Sequence, residues 1–545
     1  MSEEAQLSIP PTIDNPLANQ EPAQLEAEVE DFHKRVNLNG VVDLEILIRG
    51  ARIAQQRWGD APPGFTPAEF EAIKNENSKS YLSFLQTRGL LVTVMATACA
   101  AITQGWQQST INASSLFLNW KVDFDLDDKL LIGFINAAPW LSGSLIGTWL
   151  SDPLQERFGR RPALFISAVF CVALVIGTAR CNTWETLLVC RVLLGVGIGS
   201  KASIAPIFAA EAAPDRHRGK VLMMWQLFDA LWRVLLATAI IPAIVLLFLV
   251  FMCPESPRFL IQRNQYPGAY KSLLELRGTP IQAARDLYYI HAQLQTEAVT
   301  VWDRHEGNSW WSEGEQIYAY QKWINKGNFF KRMMYLATEK RTRRACTVAS
   351  IVMASQQLCG INVLAFYSSS ILNTDPSDPE SLFIKPTAVK WYNFAFGLAN
   401  FLFTFPAYIY IDLRGRRPLL LVSFIGMFFS LVAVSGFFEI ADHDTRLILI
   451  AVFTSLFFVF FYSIGAGPIP FTLSAEVFPL CVREVGMSFS VMINFLGLGL
   501  LVLFVPELTK EFGREAHLLF FFSGMNVLAL ILIFLLSTAR QKVKS

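Results

Sequence analysis

The sequence predicts an all-α, polytopic membrane protein, and two observations predict it. Of the 545 residues, 53% are apolar and only 17% are charged, whereas an ordinary soluble domain carries about 25% charged residues. The apolar residues also form blocks, many of which reach the roughly 20 residues that a helical membrane span requires. The formal net charge of +1 gives no indication of a nucleic-acid-binding protein.

The apolar blocks divide the chain into five regions. Residues 1–88 form a polar, acidic tail without the apolar stretch of a signal peptide, so we expect a cytosolic tail. Two membrane bundles, 89–253 and 345–536, flank a partly helical soluble linker at 254–344, and 537–545 form a short basic tail. Basic residues cluster in alternate loops, which predicts six spans in each bundle and both termini in the cytosol.

Two motifs recur in the same order in the two halves. Gly-Arg-Arg-Pro at 159–162 recurs at 415–418, each time at the entry to a third span. The spacing Glu-x-x-Pro-x-x-x-Arg at 211–218 recurs at 476–483, each time after a fourth span. Parallel repeats of a six-helix unit are typical of major facilitator transporters, so the sequence predicts that fold.

Acidic and arginine side chains lie at matched positions near the predicted cytosolic ends of the spans. A carboxylate at a membrane edge is costly unless it is paired, and the planar guanidinium of arginine can bind two carboxylates. Pairs between the bundles can form when the cytosolic side is shut and break when it opens. Alternatively, the arginines only set the topology. The candidate gating residues are Asp152, Arg160, Arg161, Glu211, Arg218, Glu255, Asp412, Arg416, Arg417, Glu476 and Arg483.

Further motifs resemble the sugar porter branch of the major facilitators, particularly its fungal members. They are RVLLGVGIG at 191–199, PESPR at 254–258, QQLCGIN at 356–362 and GPIPF at 467–471. The resemblance runs over nearly all of 89–536. It implies transport of a monosaccharide, polyol or sugar acid by alternating access, so we expect neither an enzyme nor a cofactor.

A polyhydroxy substrate needs amide and hydroxyl partners inside an apolar bundle. Amides suited to this role lie within the predicted spans, although a membrane amide can also simply bind a neighbouring helix. Phe471 stands where sugar porters usually have a stacking tryptophan, which leaves the identity of the sugar open. The substrate contacts implied by the resemblance are Gln226, Gln356, Gln357, Asn362, Asn400 and Asn494, with Phe471 as the aromatic group.

The residue that couples transport to protons in related porters is replaced in this sequence. Proton-coupled sugar porters carry an aspartate in the first span, facing the arginine that matches Arg191. Gln107 stands at that position here, and an amide cannot titrate. We therefore expect facilitative transport, or a substitute carboxylate such as Glu185. Lys201, inside the fourth span, could favour an anionic substrate, or it could extend to the membrane surface or pair with a neighbour.

The predicted fifth and sixth spans depart from the family. Residues 221–253 number 33, whereas two crossings and a turn need roughly 42–45. The sequence therefore predicts a missing stretch near Leu231 and Trp232, leaving a short broken hairpin that preserves the orientation of the second half. One alternative function is a transporter-like sugar sensor, and another is a variant whose transport is impaired by the missing part of spans five and six. The resemblance favours the plasma membrane, and the expected partners are the lipid bilayer, the sugar and, if transport is coupled, protons.

Overall fold

A computed structural model describes most of the chain. The described residues are 15–18, 20–56, 66, 69, 71, 73, 87–117, 124, 126, 128–214, 218, 222–223, 240–306, 329–371, 386–440, 442–479, 482–512 and 515–541. Every regular element in this part of the chain is helical, as the composition predicts.

The first half of the chain supplies two helices before the membrane and one bundle. The helices that precede the bundle are α1 (Pro22–Arg35) and α2 (Leu44–Gln56). The bundle contains α3 (Arg88–Phe117), α4 (Lys129–Ser142), α5 (Thr148–Phe158), α6 (Arg160–Thr178), α7 (Trp184–Ala212) and α8 (Ile240–Met252). A π-helical turn at Gly143–Gly147 joins α4 to α5, so that the two form one continuous span.

The linker and the second bundle follow. The linker contains α9 (Pro257–Gln262), α10 (Tyr266–Arg277), α11 (Pro280–Glu306) and α12 (Phe329–Thr338). The second bundle contains α13 (Lys340–Leu358), α14 (Ile361–Ile371), α15 (Pro386–Arg414), α16 (Arg416–Phe437), α17 (His443–Val452), α18 (Ile469–Val477), α19 (Arg483–Phe512) and α20 (Glu515–Gln541). α17 continues towards α18 through Phe453–Phe458, Val459–Phe461 and Tyr462–Ala466, of which the first and last are π-helical.

The lengths of these helices match most of the predicted crossings. Seven helices in the described residues are long and apolar enough to cross a membrane, and α13 with α14 forms an eighth candidate that is bent by 45°. α3 and α15, with 30 and 29 residues, also exceed the length that a crossing needs. Together these helices account for ten of the twelve predicted crossings.

The region predicted to be shortened contains the other two crossings. Residues 224–239 lie outside the described residues, and with them the predicted break near Leu231 and Trp232. α8, which follows, has 13 residues, or about 20 Å of helix. α8 begins at the first described residue after this gap, so this length is that of the described part of the helix alone.

Glycines allow α7 to lie directly against α4 and the π-helical turn. A Cβ atom built on Gly195 would collide with the carbonyl oxygen of Pro139, and one on Gly199 would collide with that of Gly143. Such close backbone approach is how small residues hold membrane helices together. The GVGIG sequence at 195–199 is therefore a packing motif.

The two bundles meet along α4, α5 and α19. The Ser144 hydroxyl donates to the carbonyl of Met492 at 2.9 Å, and the hydroxyls of Ser151 and Ser488 lie 2.9 Å apart. The Trp140 ring lies edge-on to that of Phe495, with 5.4 Å between centroids. α3 also packs against α14, so both bundles contribute to one apolar core.

A second apolar core joins the N-terminal tail to the linker, on the side of the bundles that we call the linker side. α2 packs along α11, and Phe32 of α1 contacts the rings of Tyr266 and Tyr288 edge-on at 5.4 and 5.5 Å. His291 Nδ1 lies 2.9 Å from the Tyr266 hydroxyl, and burial lowers the pKa of this histidine to about 3. The tail helices are thus fixed to the linker by packed aromatic rings around a neutral histidine.

We predict that Gly195→Ala destabilises the first bundle by about 1–3 kcal/mol, because the new methyl group forces α7 away from α4. The measurement is thermal unfolding of the purified protein in detergent. Gly436→Ala is the matched control, since nothing lies within 4 Å of a Cβ atom at that position. Equal unfolding temperatures for the two variants would contradict the packing role of Gly195.

Candidate functional site

A buried arginine joins the two bundles on the linker side. Arg160 begins α6 and is completely buried. Its Nε and Nη2 atoms donate to the two carboxylate oxygens of Glu211 in α7, at 3.1 and 3.2 Å. The same guanidinium also binds the carboxylate of Glu484, at the start of α19 in the other half. One planar guanidinium therefore connects three helices and both bundles.

Glu255 places the start of α6 where this arrangement needs it. Its carboxylate accepts hydrogen bonds from the backbone N–H groups of Arg160 and Ser256, at 3.0 and 2.9 Å, and from that of Arg161 at 3.3 Å. Burial raises the pKa of the Glu255 carboxyl, an effect that these N–H groups and Arg160 partly oppose. Gly159 adopts a φ of +95°, and a Cβ atom there would lie 2.7 Å from the Glu255 carboxylate. The glycine is needed for both reasons.

A second buried arginine comes from the linker. Arg332 of α12 donates to the carboxylate of Asp152 at 2.9 Å and to that of Glu156 at 2.7 Å, both in α5. It also lies 3.8 Å from the carboxylate of Glu484. Asp152 thus pairs with an arginine of the linker. We call Arg160, Glu211, Glu484, Arg332 and Asp152 the charge cluster.

The equivalent position in the second half is less buried. Arg416 donates to Glu476 at 2.9 Å, which repeats the pairing of Arg160 with Glu211, but both side chains are about a quarter exposed. Arg483 is buried, and Arg417 is exposed. The side chain of Asp412 lies outside the described residues.

The two remaining candidate gating residues contact backbone carbonyls. Arg218 Nε donates to the carbonyl of Ala210 at 3.1 Å, within the last turns of α7. Arg161 Nη2 donates to the carbonyl of Phe251 in α8. Both arginines therefore bind the C-terminal ends of helices, where the helix dipole favours a cation.

The sequence did not single out Arg332, Glu156 or Glu484, although the structure places all three in or beside the charge cluster. Arg332 and Asp152 are separated by 180 residues, and Arg160 and Glu484 by 324. The available signal for Glu484 is that it directly follows Arg483 of the repeated motif. No comparable signal marks Arg332.

Buried amides form two hydrogen-bonded pairs at a break in the seventh span. Gly360, with a φ of +89°, separates α13 from α14. Just before it, Gln356 Nε2 donates to the carbonyls of Ala466 and Gly467 at 3.0 and 2.9 Å, and Gln356 Oε1 accepts from Asn494 Nδ2 at 2.8 Å. The amide of Asn362 donates to that of Gln357, so four of the predicted substrate amides form two hydrogen-bonded pairs here.

Two of the other predicted substrate residues lie elsewhere in the bundles, and the third is outside the described residues. Asn400 accepts a hydrogen bond at 2.7 Å from the hydroxyl of Ser463, which lies in the π-helical turn Tyr462–Ala466. Phe471 is buried in the core that the two bundles share. The indole N–H of Trp140, in the same core, has no hydrogen-bond partner among the described residues. Gln226 lies outside the described residues.

The candidate coupling residues lie in the first bundle. Arg191 Nη1 donates to Asn136 Oδ1 at 2.7 Å and to the carbonyl of Ile135 at 3.1 Å. The side chain of Gln107 lies outside the described residues. Lys201 is fully buried, and its ammonium donates to the hydroxyl of Thr103, so it does not extend to the membrane surface.

No group of three or more potential metal ligands occurs among the residues that the structure describes. The buried polar side chains described above are amides, hydroxyls and charged groups with polar partners. Such groups bind and release a neutral polar solute by exchanging hydrogen bonds.

Comparison with known proteins places the chain in a family. The model of the family described as "Sugar (and other) transporter" matches residues 92–231 and 227–542. The galactose-proton symporter of Escherichia coli K12 is 27% identical over 407 residues, which cover 72% of this chain and 79% of the symporter. The myo-inositol transporter FST1 of Gibberella moniliformis is 25% identical over 445 residues, which cover 78% of this chain and 72% of that protein.

The fold is also found among solved structures. The proton:xylose symporter XylE of E. coli matches with a TM-score of 0.64 and 19% sequence identity, over 82% of this chain and 95% of XylE. The all-helical two-bundle architecture is therefore that of the major facilitators. With the family match extending over most of its length, the chain belongs to the sugar (and other) transporter family and is a multi-pass membrane transporter.

Proposed function

We propose that this transporter moves a monosaccharide, a related polyol or a sugar acid by alternating access. The observation that carries the proposal is the buried amide group at the break between α13 and α14. Its amides bind one another in pairs, and a sugar hydroxyl, which both donates and accepts, can replace one amide as the partner of the other. The names of the galactose and myo-inositol transporters support this substrate class, and the latter supports a fungal-type member.

Each predicted substrate residue has a role in this proposal. Gln356 of α13 and Asn494 of α19 bind each other at 2.8 Å. When the two side chains separate, both can bind the same sugar hydroxyl. Gln357, Asn362 and Asn400 supply further hydrogen bonds, and Phe471 supplies an apolar surface for a sugar ring. Gln226 is assigned the same role on the family resemblance alone.

The charge cluster is proposed as the gate of the linker side, which we infer to be cytosolic. Arg160 and Arg332 both contact Glu484 of the second half while binding acids of the first half. Opening this side requires those inter-bundle contacts to break, whereas Arg160–Glu211 and Arg416–Glu476 lie within single bundles. The pairs within a bundle thus keep the arginines in place while the halves separate.

Transport is proposed to be facilitative. Gln107 cannot take up or release a proton, and Arg191 has an amide partner in Asn136 at 2.7 Å. The name of the galactose-proton symporter favours the alternative of proton coupling. A substitute carboxylate is then required, and Glu185, which is exposed in the first turn of α7, is the candidate.

We also propose that a stretch of the fifth and sixth spans is missing. The two family matches divide at residues 227–231, beside the predicted break at Leu231 and Trp232. The remaining segment is proposed to form a short hairpin. Both termini of the whole chain are proposed to lie on the cytosolic side of the plasma membrane.

We predict that Gln356→Ala raises the KM for sugar uptake at least about tenfold, because a substrate hydroxyl loses one or two buried hydrogen bonds. Uptake of radiolabelled hexoses, pentoses and inositol is measured in cells that lack their own sugar transporters. Gln282→Ala, at a buried glutamine of α11 in the linker, is the control.

An unchanged KM for Gln356→Ala, with normal expression, would contradict the assigned site. Sugar binding to the purified protein without uptake would support the sensor alternative. The transport-impaired alternative predicts that uptake appears only when a full-length fifth and sixth span is inserted at residues 231 and 232.

We predict that sugar entry leaves the external pH unchanged, because Gln107 has no titratable proton. The external pH is recorded in weakly buffered suspensions of energised cells when the transported sugar is added. Cells that express the E. coli galactose-proton symporter provide the positive control. Alkalinisation by this protein would refute facilitative transport, and its loss in Glu185→Gln would identify the substitute carboxylate.

A further inference from the structure

The linker helix α12 has two contrasting faces. Arg332 and Leu336, one turn apart, are both buried. Phe330 and Met334, also one turn apart, are 72% and 63% exposed, and Met333 beside them is exposed as well. The outer face therefore presents large apolar side chains at helical spacing. A helix that faced only water would not be expected to expose them together.

The position of α12 relates this apolar face to the membrane. The ring of Phe329 lies edge-on to Trp149 of α5, with 6.2 Å between centroids. Trp149 precedes Leu150, which is 42% exposed on a helix that spans the membrane. Only Glu339 separates α12 from α13, which begins the bent seventh span. α12 thus lies at the level where these spans leave the bilayer.

Positive charge accompanies the apolar face. Lys340, Arg343 and Arg344, all in the first turns of α13, are exposed. Exposed apolar side chains next to lysines and arginines are characteristic of interfacial helices, whose apolar face enters the boundary of the acyl chains while the cations meet anionic headgroups. Both the apolar and the charged components of such a surface are present here.

We propose that α12 and the first turns of α13 bind anionic phospholipid headgroups of the adjoining leaflet. Phe330, Met333 and Met334 enter the interface, and Lys340, Arg343 and Arg344 bind the phosphates. The opposite face of α12 carries Arg332 to Asp152 and Glu156, at 2.9 and 2.7 Å. Anionic lipid therefore holds the linker arginine in the charge cluster, and this consequence rests on the proposed gate.

The test is hydrogen–deuterium exchange of the full-length protein in lipid nanodiscs. One set contains phosphatidylcholine alone, and the other also contains phosphatidylglycerol. The amides of α12 are expected to exchange at least about fivefold more slowly with the anionic lipid, the effect of a single well-placed base at such a surface. Equal exchange in the two lipids would overturn the proposal.

Variants separate the two components of the surface. Lys340→Gln/Arg343→Gln/Arg344→Gln is expected to remove the effect of phosphatidylglycerol. Lys340→Arg/Arg343→Lys/Arg344→Lys, which keeps the three positive charges, is expected to retain that effect. Phe330→Gln/Met334→Gln is expected to speed exchange of α12 in both lipids. The control is Lys34→Gln/Lys271→Gln, at exposed lysines of α1 and α10. A phosphatidylglycerol effect that survives in the triple glutamine variant would overturn the proposal.

Two further measurements identify the ligand and keep this inference apart from the transport function. Inorganic phosphate added to phosphatidylcholine nanodiscs is expected to leave α12 unprotected, and protection by phosphate would show a site for a free anion instead of a membrane surface. Gln356→Ala is expected to retain the full lipid effect. If no sugar is transported while α12 still responds to anionic lipid, the proposed function fails and the lipid-binding surface stands.

Discussion

Two carboxylates from opposite halves of the molecule share the buried guanidinium of Arg160, and the proposed gate on the linker side depends on this interaction. A charge that is removed from water is stabilised only if its partners satisfy it closely. Glu211 provides two hydrogen bonds from the same bundle, and Glu484 provides the contact across the bundles. Removing one partner of a buried ion pair costs about 3–5 kcal/mol. Separation of the halves must therefore be compensated, by water entering the cluster or by new contacts elsewhere.

The repeat produces related but unequal halves. Arg160 and Arg416 begin equivalent helices and bind equivalent glutamates, but the Arg160–Glu211 pair is buried whereas Arg416 and Glu476 are about a quarter exposed. The residue that follows Arg483 is Glu484, whereas Gly219 follows Arg218 at the matching position. Arg332 of the linker adds to this asymmetry.

Much of this architecture could be predicted from the sequence because its causes are local. The length of an apolar block determines whether it can cross a bilayer, and the repeated motifs locate Arg160 and Glu211 at helix ends. The contacts of Arg332 and Glu484 could not be predicted, because they depend on how the linker and α19 fold back onto α5 and α6. Similarly, the amide residues were recognisable, but the pairing of Gln356 with Asn494 depends on how α13 packs against α19.

The most direct test of this account is the distance between the bundles on the linker side. Nitroxide labels at the exposed positions 157 and 418, in a background without the eight native cysteines, allow pulsed electron–electron double resonance in nanodiscs. We predict that Glu484→Gln adds a population at longer distance, because Arg160 loses its partner across the bundles. Glu476→Gln, which breaks a pair within one bundle, is expected to leave the distances unchanged. An unaltered distribution in Glu484→Gln, or equal opening in both variants, would contradict the account.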